Sequence, residues 1–318
     1  MVTPPGWRVR KGPGKPVKAH WDLARSFWAP TWPLPTLPMP SAYEHPPSAD
    51  EPRILWELHD PSGTLRAWIE AEFPGEGEGA LRGLAWDTVA SASPDALRAL
   101  GLAVVDEART RGLERLWSGG GWSHWWPGLP EAATEARTIL ASWGFHSAGR
   151  TWDMIARPPF FDRGTLDRDS GELRFEWDPS HGSTALLDWL SREFPGRWPT
   201  EALAVHHGHW PGSRLLGGWK GERPVAFALV HEPGSAWTWR WRGHDERVAA
   251  MGPLGVAQDL RGQGAGRALL REGLKDLWGN QPSLIVIDWT TLSGFYGSVG
   301  FREGWFWSRQ VHELEGSG

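Results

Sequence analysis

The chain of 318 residues contains no cysteine. Disulfides, thiolate metal sites and a cysteine nucleophile are therefore excluded, and any acyl transfer has to proceed without a covalent cysteinyl intermediate. Lysine is scarce, confined to Lys11, Lys15, Lys18, Lys220 and Lys275, so arginine carries most of the positive charge. The formal net charge of −5 lacks the basic excess that a phosphate backbone would need, so no nucleic-acid partner is expected. No apolar run approaches the roughly 18 residues that cross a bilayer. The opening Met-Val-Thr-Pro-Pro-Gly-Trp also lacks the charged-then-apolar pattern of a secretion signal. A cytoplasmic protein without a membrane partner is the expectation. Tyrosine occurs only at Tyr43 and Tyr296, against 25 tryptophans and 11 phenylalanines. Most of those indoles are expected in the core or at an interface, because each buries roughly 150–250 Å².

Two half-length units of similar order can be read along the chain. In the second half, Glu172 to Trp177 alternates as a strand does, and helices are predicted from Ser183 to Glu193 and from Thr200 to His207. Arg214 to Trp219 and Val225 to His231 form a hairpin turning at Gly221-Glu222. A strand over Ala249 to Ala257, a helix from Gly264 to Trp278 and a buried strand over Leu284 to Asp288 follow. A short helix at Leu292 to Ser298 and a strand at Trp305 to Val311 end the unit. Trp237, Trp239 and Trp241 alternate and are predicted to share one strand face.

The first half repeats much of this. Trp7 to Arg10 reads as a strand and Val17 to Trp28 as a helix, followed by a proline-dense extended stretch from Pro30 to Pro52. Arg53 to Leu58 and Leu65 to Ala71 form a hairpin around Asp60-Pro61-Ser62-Gly63. Leu84-Ala85-Trp86 parallels Leu254-Gly255-Val256, the helix Pro94 to Thr110 parallels Gly264 to Trp278, and Gly144-Phe145 parallels Gly300-Phe301. The longer spacing in the first half is placed in Gly119 to Glu131, and a boundary is drawn at Pro158 to Gly171. The units are thus 1–160 and 171–318.

The chemistry concentrates in Leu254-Gly255-Val256-Ala257-Gln258-Asp259-Leu260-Arg261-Gly262-Gln263-Gly264-Ala265-Gly266-Arg267-Ala268-Leu269-Leu270. An apolar strand enters a glycine-rich loop and leaves into an amphipathic helix. Loop amides and the positive end of a helix converge there on an anion, and glycine at 262, 264 and 266 lets backbone approach it without a Cβ in the way. A Rossmann fingerprint fails, since its third glycine position falls on Arg267 or Leu269. A nucleotide P-loop fails for want of Gly-Lys-Ser/Thr. A tight strand-to-helix turn without a ligand is the plainer alternative.

The segment resembles motif A of the GNAT superfamily of N-acetyltransferases, Arg/Gln-x-x-Gly-x-Gly/Ala after a strand, with Arg261, Gly264 and Gly266 in place. The resemblance implies that the loop Arg261, Gly262, Gln263, Gly264, Ala265, Gly266 and Arg267 binds the pyrophosphate of acetyl-CoA. It further implies that the backbone of Leu254, Gly255 and Val256 binds the pantetheine arm. Downstream, Phe295-Tyr296-Gly297-Ser298-Val299-Gly300-Phe301 resembles the family's Tyr-x-x-x-Gly-Phe, whose tyrosine protonates the departing thiolate. A phenol near pKa 10 and a thiol near 8.5 suit that exchange; a packed aromatic is the alternative for Tyr296. The asparagine that many members place seven residues before this tyrosine is Trp289 here, so that contact does not carry over.

The base that deprotonates an amine is left open among Glu193, His206, His207, Asp245, Glu246, Asp288 and a water chain. His206-His207-x-His209 has no carboxylate spaced to help, and no metal site is predicted. In the first half, Asp87 to Ala96 has no glycine, Ser93-Pro94 begins a helix in the ordinary way, and Leu140 stands where the second half has Tyr296. The fold class expected is α/β, two tandem GNAT-like mixed-sheet units with helices on both faces, the N-terminal unit degenerate. The function expected is direct acetyl transfer from acetyl-CoA to a primary amine, small molecule or peptide, with Tyr296 as general acid. The alternative is a non-catalytic coenzyme A-binding sensor or interaction module. An aminoacyl-transferring relative is disfavoured by the glycine loop, and neither acceptor nor oligomeric state is encoded legibly.

Overall fold

A computed structural model describes residues 3–12, 16–33, 53–73, 77–88, 93–119, 127–157, 173–178, 183–241 and 247–314. The core of the proline-dense stretch, the middle of the 119–131 insertion, all of 158–171, and Tyr43, Asp245 and Glu246 lie outside them. The chain divides into two compact units, one comprising 1–151 with 306–318 and the other 152–305.

In the first unit, β1 (Arg8–Gly12), β2 (Arg53–His59), β3 (Leu65–Glu72) and β4 (Glu78–Trp86) form an antiparallel run. A crossover through α2 (Pro94–Thr110) then makes β5 (Arg115–Ser118) parallel to β4, from Glu78 opposite Arg115 to Leu81 opposite Ser118. Residues 310–313 of the last strand, β13 (Arg302–Glu313), pair antiparallel with β5. The helix α1 (Lys18–Trp28) packs on β3 and β4. Short β6 (Leu129–Pro130), helix α3 (Thr134–Ser142) and strand β7 (His146–Ala156) complete the chain to the second unit. Tryptophans fill this core as expected: Trp28, Trp56 and Trp68 are buried. Their polar edges are served, Trp28 Nε1 donating to the Leu84 carbonyl and Trp68 Nε1 to that of His20, each at 2.9 Å.

The second unit has the same order. The strands β8 (Arg174–Trp177), β9 (Ser213–Lys220), β10 (Arg223–His231) and β11 (Val248–Val256) are antiparallel neighbours. A crossover through α6 (Ala265–Gly279) makes β12 (Leu284–Thr290) parallel to β11, and residues 152–156 of β7 pair antiparallel with β12. Helices α4 (Ser183–Glu193) and α5 (Arg197–His206) precede β9, and α7 (Ser293–Gly297) follows β12. The apolar face of α6, Leu269, Leu270, Leu274 and Leu277, packs against β10 and β11 and is fully buried.

Two expectations are corrected. Trp237 to Trp241 lie in a 3-10 turn, Ala236–Trp241, so they share no strand face. Trp237 stacks on Trp210 at 5.0 Å and His231 at 5.2 Å, while Trp241 is buried with Nε1 donating to Asp153 Oδ2 at 2.9 Å. The helix predicted from Thr200 begins three residues earlier, at Arg197, because proline in a first turn gives up an amide that has no helical partner anyway.

His231, fully buried on β10, accepts from the Ser213 hydroxyl at Nδ1 (2.8 Å) and donates from Nε2 to the Gly252 carbonyl (3.0 Å). Burial holds its pKa down to about 4 against the weaker opposite pull of the Gly252 carbonyl. The folded pKa lies below the unfolded one, so the stability it contributes is present above pH 6.5 and is lost as pH falls toward 4. The loss expected from His231 is about 3 kcal/mol between pH 7 and pH 4. Urea denaturation at both pH values checks it: His231→Gln should flatten that part of the profile, and an unchanged slope would remove His231 as its cause.

Candidate active site

The site begins where two parallel strands part. The pairing of β11 with β12 covers Val248, Ala250 and the residue between them, opposite Leu284 to Val286, and no further. Beyond it, Leu254, Gly255 and Val256 pair on one side only, with Ala228, Phe227 and Ala226 of β10. Their other edge faces a pocket of about 580 Å³. Its lining includes Leu254, Gly255, Val256, Arg261, Gly262, Gly264, Gly266, Arg267 and Tyr296, joined by Phe194, Trp198, Leu292 and Phe295. Residues named from two separated stretches of sequence therefore meet around one cavity.

After β11 the chain makes a 3-10 turn at Gln258–Leu260 and enters the loop. Arg261 points back, Nε donating to the Val256 carbonyl at 3.1 Å with its guanidinium 5.9 Å from the Phe194 ring, which ties the loop to the strand end. Gly264 is the N-cap of α6 at φ +92°, left-handed backbone that favours glycine. The first helical bond is Ala268 N–H to the Gly264 carbonyl at 3.0 Å, and no side chain caps the end. The amides of Ala265, Gly266 and Arg267 have no acceptor among the described residues, and those of Gly262 and Gly264 are in the same condition. A Cβ built on Gly262 or Gly264 would meet nothing within 4 Å. Free donors, a helix N-terminus and open space are the requirements of a phosphate cradle. Arg267 Nη2 also donates to Ser298 Oγ at 3.2 Å, linking the cradle to the segment after α7. Of the remaining loop side chains, Ala265 packs into the core and Gln263 donates to the Asp259 carbonyl at 2.6 Å.

Tyr296 sits on α7 with its ring edge-on to Phe295 (4.9 Å) and Phe301 (6.1 Å), 6% exposed. Its hydroxyl has no hydrogen-bond partner among the described residues. Burial, assisted by the Asp288 charge, pushes its pKa up, so the phenol keeps its proton across the physiological range. The short helix closes with Phe301 N–H on the Tyr296 carbonyl at 3.2 Å and Gly300 at φ +99°. In the first unit Phe145 N–H meets the Leu140 carbonyl at 3.1 Å and Gly144 is at φ +96°. Leu140 therefore holds the backbone position of Tyr296 without its hydroxyl.

Trp289, at φ +46°, donates its backbone N–H to Asp153 Oδ1 at 3.0 Å and carries the Arg197 guanidinium over its ring at 5.1 Å. Of the bases left open, Glu193 accepts from the Gln258 amide at 3.1 Å and so caps the 3-10 turn. His206, His207 and His209 cluster at the end of α5 with ring separations of 5.4 and 5.8 Å, and no metal-holding group occurs among the described residues. Asp288 lies at the fork, its Oδ1 3.5 Å from where a Cβ on Gly252 would be. One residue escaped the sequence reading: Glu201, buried on α5 beside Arg197 (2.8 Å), its pKa pushed up to about 7 by burial. The signal was a carboxylate beside the apolar positions Ala202 and Val205, but Trp198, one turn earlier on the same stripe, fell outside a helix started at Thr200.

The fork, the crossover helix and the open loop at the start of α6 together frame the pocket of an α/β unit. Residues 183–301 match the model of the acetyltransferase (GNAT) family, and the chain carries a GNAT acetyltransferase domain there. Among solved structures it resembles the glucosamine N-acetyltransferase region of a fungal multi-domain GH3 beta-N-acetylglucosaminidase, at TM-score 0.77 and 17% identity over 96% of this chain. The chain spans only 38% of that protein's length. It also resembles a tandem GNAT protein from the clavulanic acid biosynthesis pathway, TM-score 0.61 and 15% identity, covering 98% of this chain and all of the other. A GCN5-related N-acetyltransferase from Sphaerobacter thermophilus gives TM-score 0.63 and 13% identity, over 98% and 97%. At such identities the likeness establishes the two-unit fold. No curated protein matches the sequence. No described helix is long and apolar enough to cross a membrane.

The two loop glycines should respond oppositely to alanine. Gly264→Ala forces a Cβ into left-handed backbone and is expected to cost about 1 kcal/mol. Gly266 has ordinary helical backbone and a Cβ there would meet Phe295 and Val256 at 3.5 Å, so Gly266→Ala is expected to be neutral or stabilising by up to about 0.5 kcal/mol. Paired thermal melts decide; equal effects would refute the assigned backbone.

Proposed function

We propose that the second unit transfers an acetyl group from acetyl-CoA directly to a primary amine, small molecule or peptide, with Tyr296 as general acid. The observation that carries this is the meeting of the donor-rich loop and an unpartnered tyrosine hydroxyl around one pocket. The amides from Gly262 to Arg267 would hold the pyrophosphate, with Arg261, Gln263 and Ala265 shaping the loop that presents them. The free edge of Leu254, Gly255 and Val256 would hold the pantetheine arm by backbone bonds, and one of these amides would face the developing oxyanion. Acetyl-CoA, when bound, supplies the acetyl thioester. Tyr296, which burial keeps protonated, would donate that proton to the thiolate as it leaves.

The first unit would support without reacting. Position 82, which the landmark Leu84 sets against Gly252, carries a fully buried arginine within 3.3 Å of Glu72. The matching position in the second unit, Gly252, carries no side chain.

Two measurements test the proposal. Gly266→Val places bulk beside the cradle and should weaken acetyl-CoA at least 10-fold, about 1.4 kcal/mol, in calorimetric titration of a folded variant. Tyr296→Phe should lower kcat by about 100-fold in a thiol-release assay over a panel of primary amines, with acetyl-CoA affinity retained. A packing role predicts the reverse pattern, Tyr296→Phe silent and only Tyr296→Ala harmful, through a lowered Tm.

A further inference from the structure

The strand β12 carries one residue more than its neighbour β7 beside the site. Ile285, Val286 and Ile287 pair with Ala156, Ile155 and Met154, and the next pair is Thr290 with Trp152. Asp288 and Trp289 therefore stand against the single residue Asp153, which makes a β-bulge. Trp289 adopts left-handed backbone at φ +46°, a region that a bulky residue occupies only where its surroundings hold it there. Here the hold is a side chain. Asp153, fully buried, accepts the Trp289 amide at Oδ1 (3.0 Å) and the Trp241 indole N–H at Oδ2 (2.9 Å). A bulge leaves an amide outside the strand ladder, and the carboxylate supplies the acceptor that the ladder does not.

The bulge sets where the chain goes next. Thr290, which resumes the pairing, accepts the Leu292 amide at Oγ1 (3.0 Å). Leu292 is the N-cap of α7, and its carbonyl receives the first amides of that helix, from Phe295 (3.0 Å) and Tyr296 (3.2 Å). Side chains alternate along a strand, so a residue gained or lost at 288–289 would exchange the two faces for Thr290 and all that follows. A helix of five residues has too few bonds of its own to choose its direction. Its orientation, and with it the place of Tyr296 in the pocket wall, comes from the segment that launches it.

We propose that Asp153 is a positioning residue for Tyr296: by holding the bulge it fixes the start of α7 and so the place of the phenol at the pocket. It works through the Trp289 amide and the Thr290 hydroxyl. That the placement governs turnover rests on the acetyl-transfer reading; that Asp153 sets the placement does not. The carboxylate is what the position requires, because both of its partners are donors. A carboxamide has one acceptor oxygen, and its NH2 turned toward either N–H sets two donors against each other. Placement is worth this much structure, since a displacement of roughly 1 Å at a reacting group costs up to about 100-fold in rate.

The full chain labelled with ring-13C tyrosine reads the placement directly, because Tyr296 and Tyr43 are its only tyrosines and Tyr296→Phe identifies the signal. Asp153→Asn should shift the Tyr296 resonance. Asp153→Asn combined with Trp241→Phe should bring it back toward the wild-type position, since loss of the indole donor lets the carboxamide turn its oxygen to the Trp289 amide. Thr290→Val cuts the next link and should shift the resonance as well, and it decides if Asp153→Asn does not fold. In the thiol-release assay, Asp153→Asn should lower kcat about 10-fold or more with the acetyl-CoA KM unchanged, and the double variant should recover it to within about threefold. A Tyr296 resonance unmoved in folded Asp153→Asn or in Thr290→Val overturns the proposal, as does a double variant no nearer to wild type than the single one. A purely structural role lowers Tm in Asp153→Asn and leaves kcat and the resonance alone, and that result also overturns it. Calorimetry of the wild type with acetyl-CoA stands apart: absence of binding sinks the acetyl-transfer reading and leaves the placement of Tyr296 to the spectra.

Discussion

The structure of the second unit depends on a short pairing. Strands β11 and β12 share hydrogen bonds only from Val248 to Ala250, and the sheet then opens between them. Backbone donors and acceptors left at such a fork have to be satisfied by something other than a neighbouring strand. The carboxylate of Asp153 takes the Trp289 amide on the β12 side, and on the β11 side the edge of Leu254 to Val256 is left for the pocket. A continuous ladder would have buried both edges and closed the cavity.

Around that opening the chain arranges charge by distance. The cradle end carries Arg261 and Arg267 with the free amides of α6, and suits an anion. The fork end carries Asp288, whose charge reaches both Glu201 and Tyr296. Tyr296 is buried among Phe295 and Phe301, within reach of the Asp288 charge. The first unit repeats the strand order and the parallel pairing, Glu78 to Leu81 against Arg115 to Ser118, yet places the buried Arg82 beside Glu72 at its fork and leucine where the tyrosine would be. Shared topology with exchanged side chains is what separates a scaffold from a site.

Much of this was legible in the residues, for identifiable reasons. Alternation gave both hairpins, and the apolar stripe of Leu269, Leu270, Leu274 and Leu277 gave α6 almost to its ends. The glycine loop was legible because left-handed backbone and close approach leave glycine as nearly the sole choice. The strands from Arg115 to Ala156 and the helix α3 were not foreseen, since short segments interrupted by glycine and tryptophan carry little periodicity. The tryptophans at 237 and 241 misled, because alternation over five residues does not distinguish a strand from a 3-10 turn.

The sequence by itself determined both hairpins, the helix α6, the repeat and the positions of the glycine loop and the tyrosine, since these follow from local backbone preference and hydrophobic period. The tertiary structure alone decided which residues meet. Phe194, Trp198 and Leu292 reach the pocket of Tyr296 only through packing of α4, α5 and α7 about the fork. Glu201 has a raised pKa only because packing buries it and brings Asp288 near enough to resist its charge. Burial and the fields of distant neighbours are properties of packing between elements, and no local pattern along a chain encodes them.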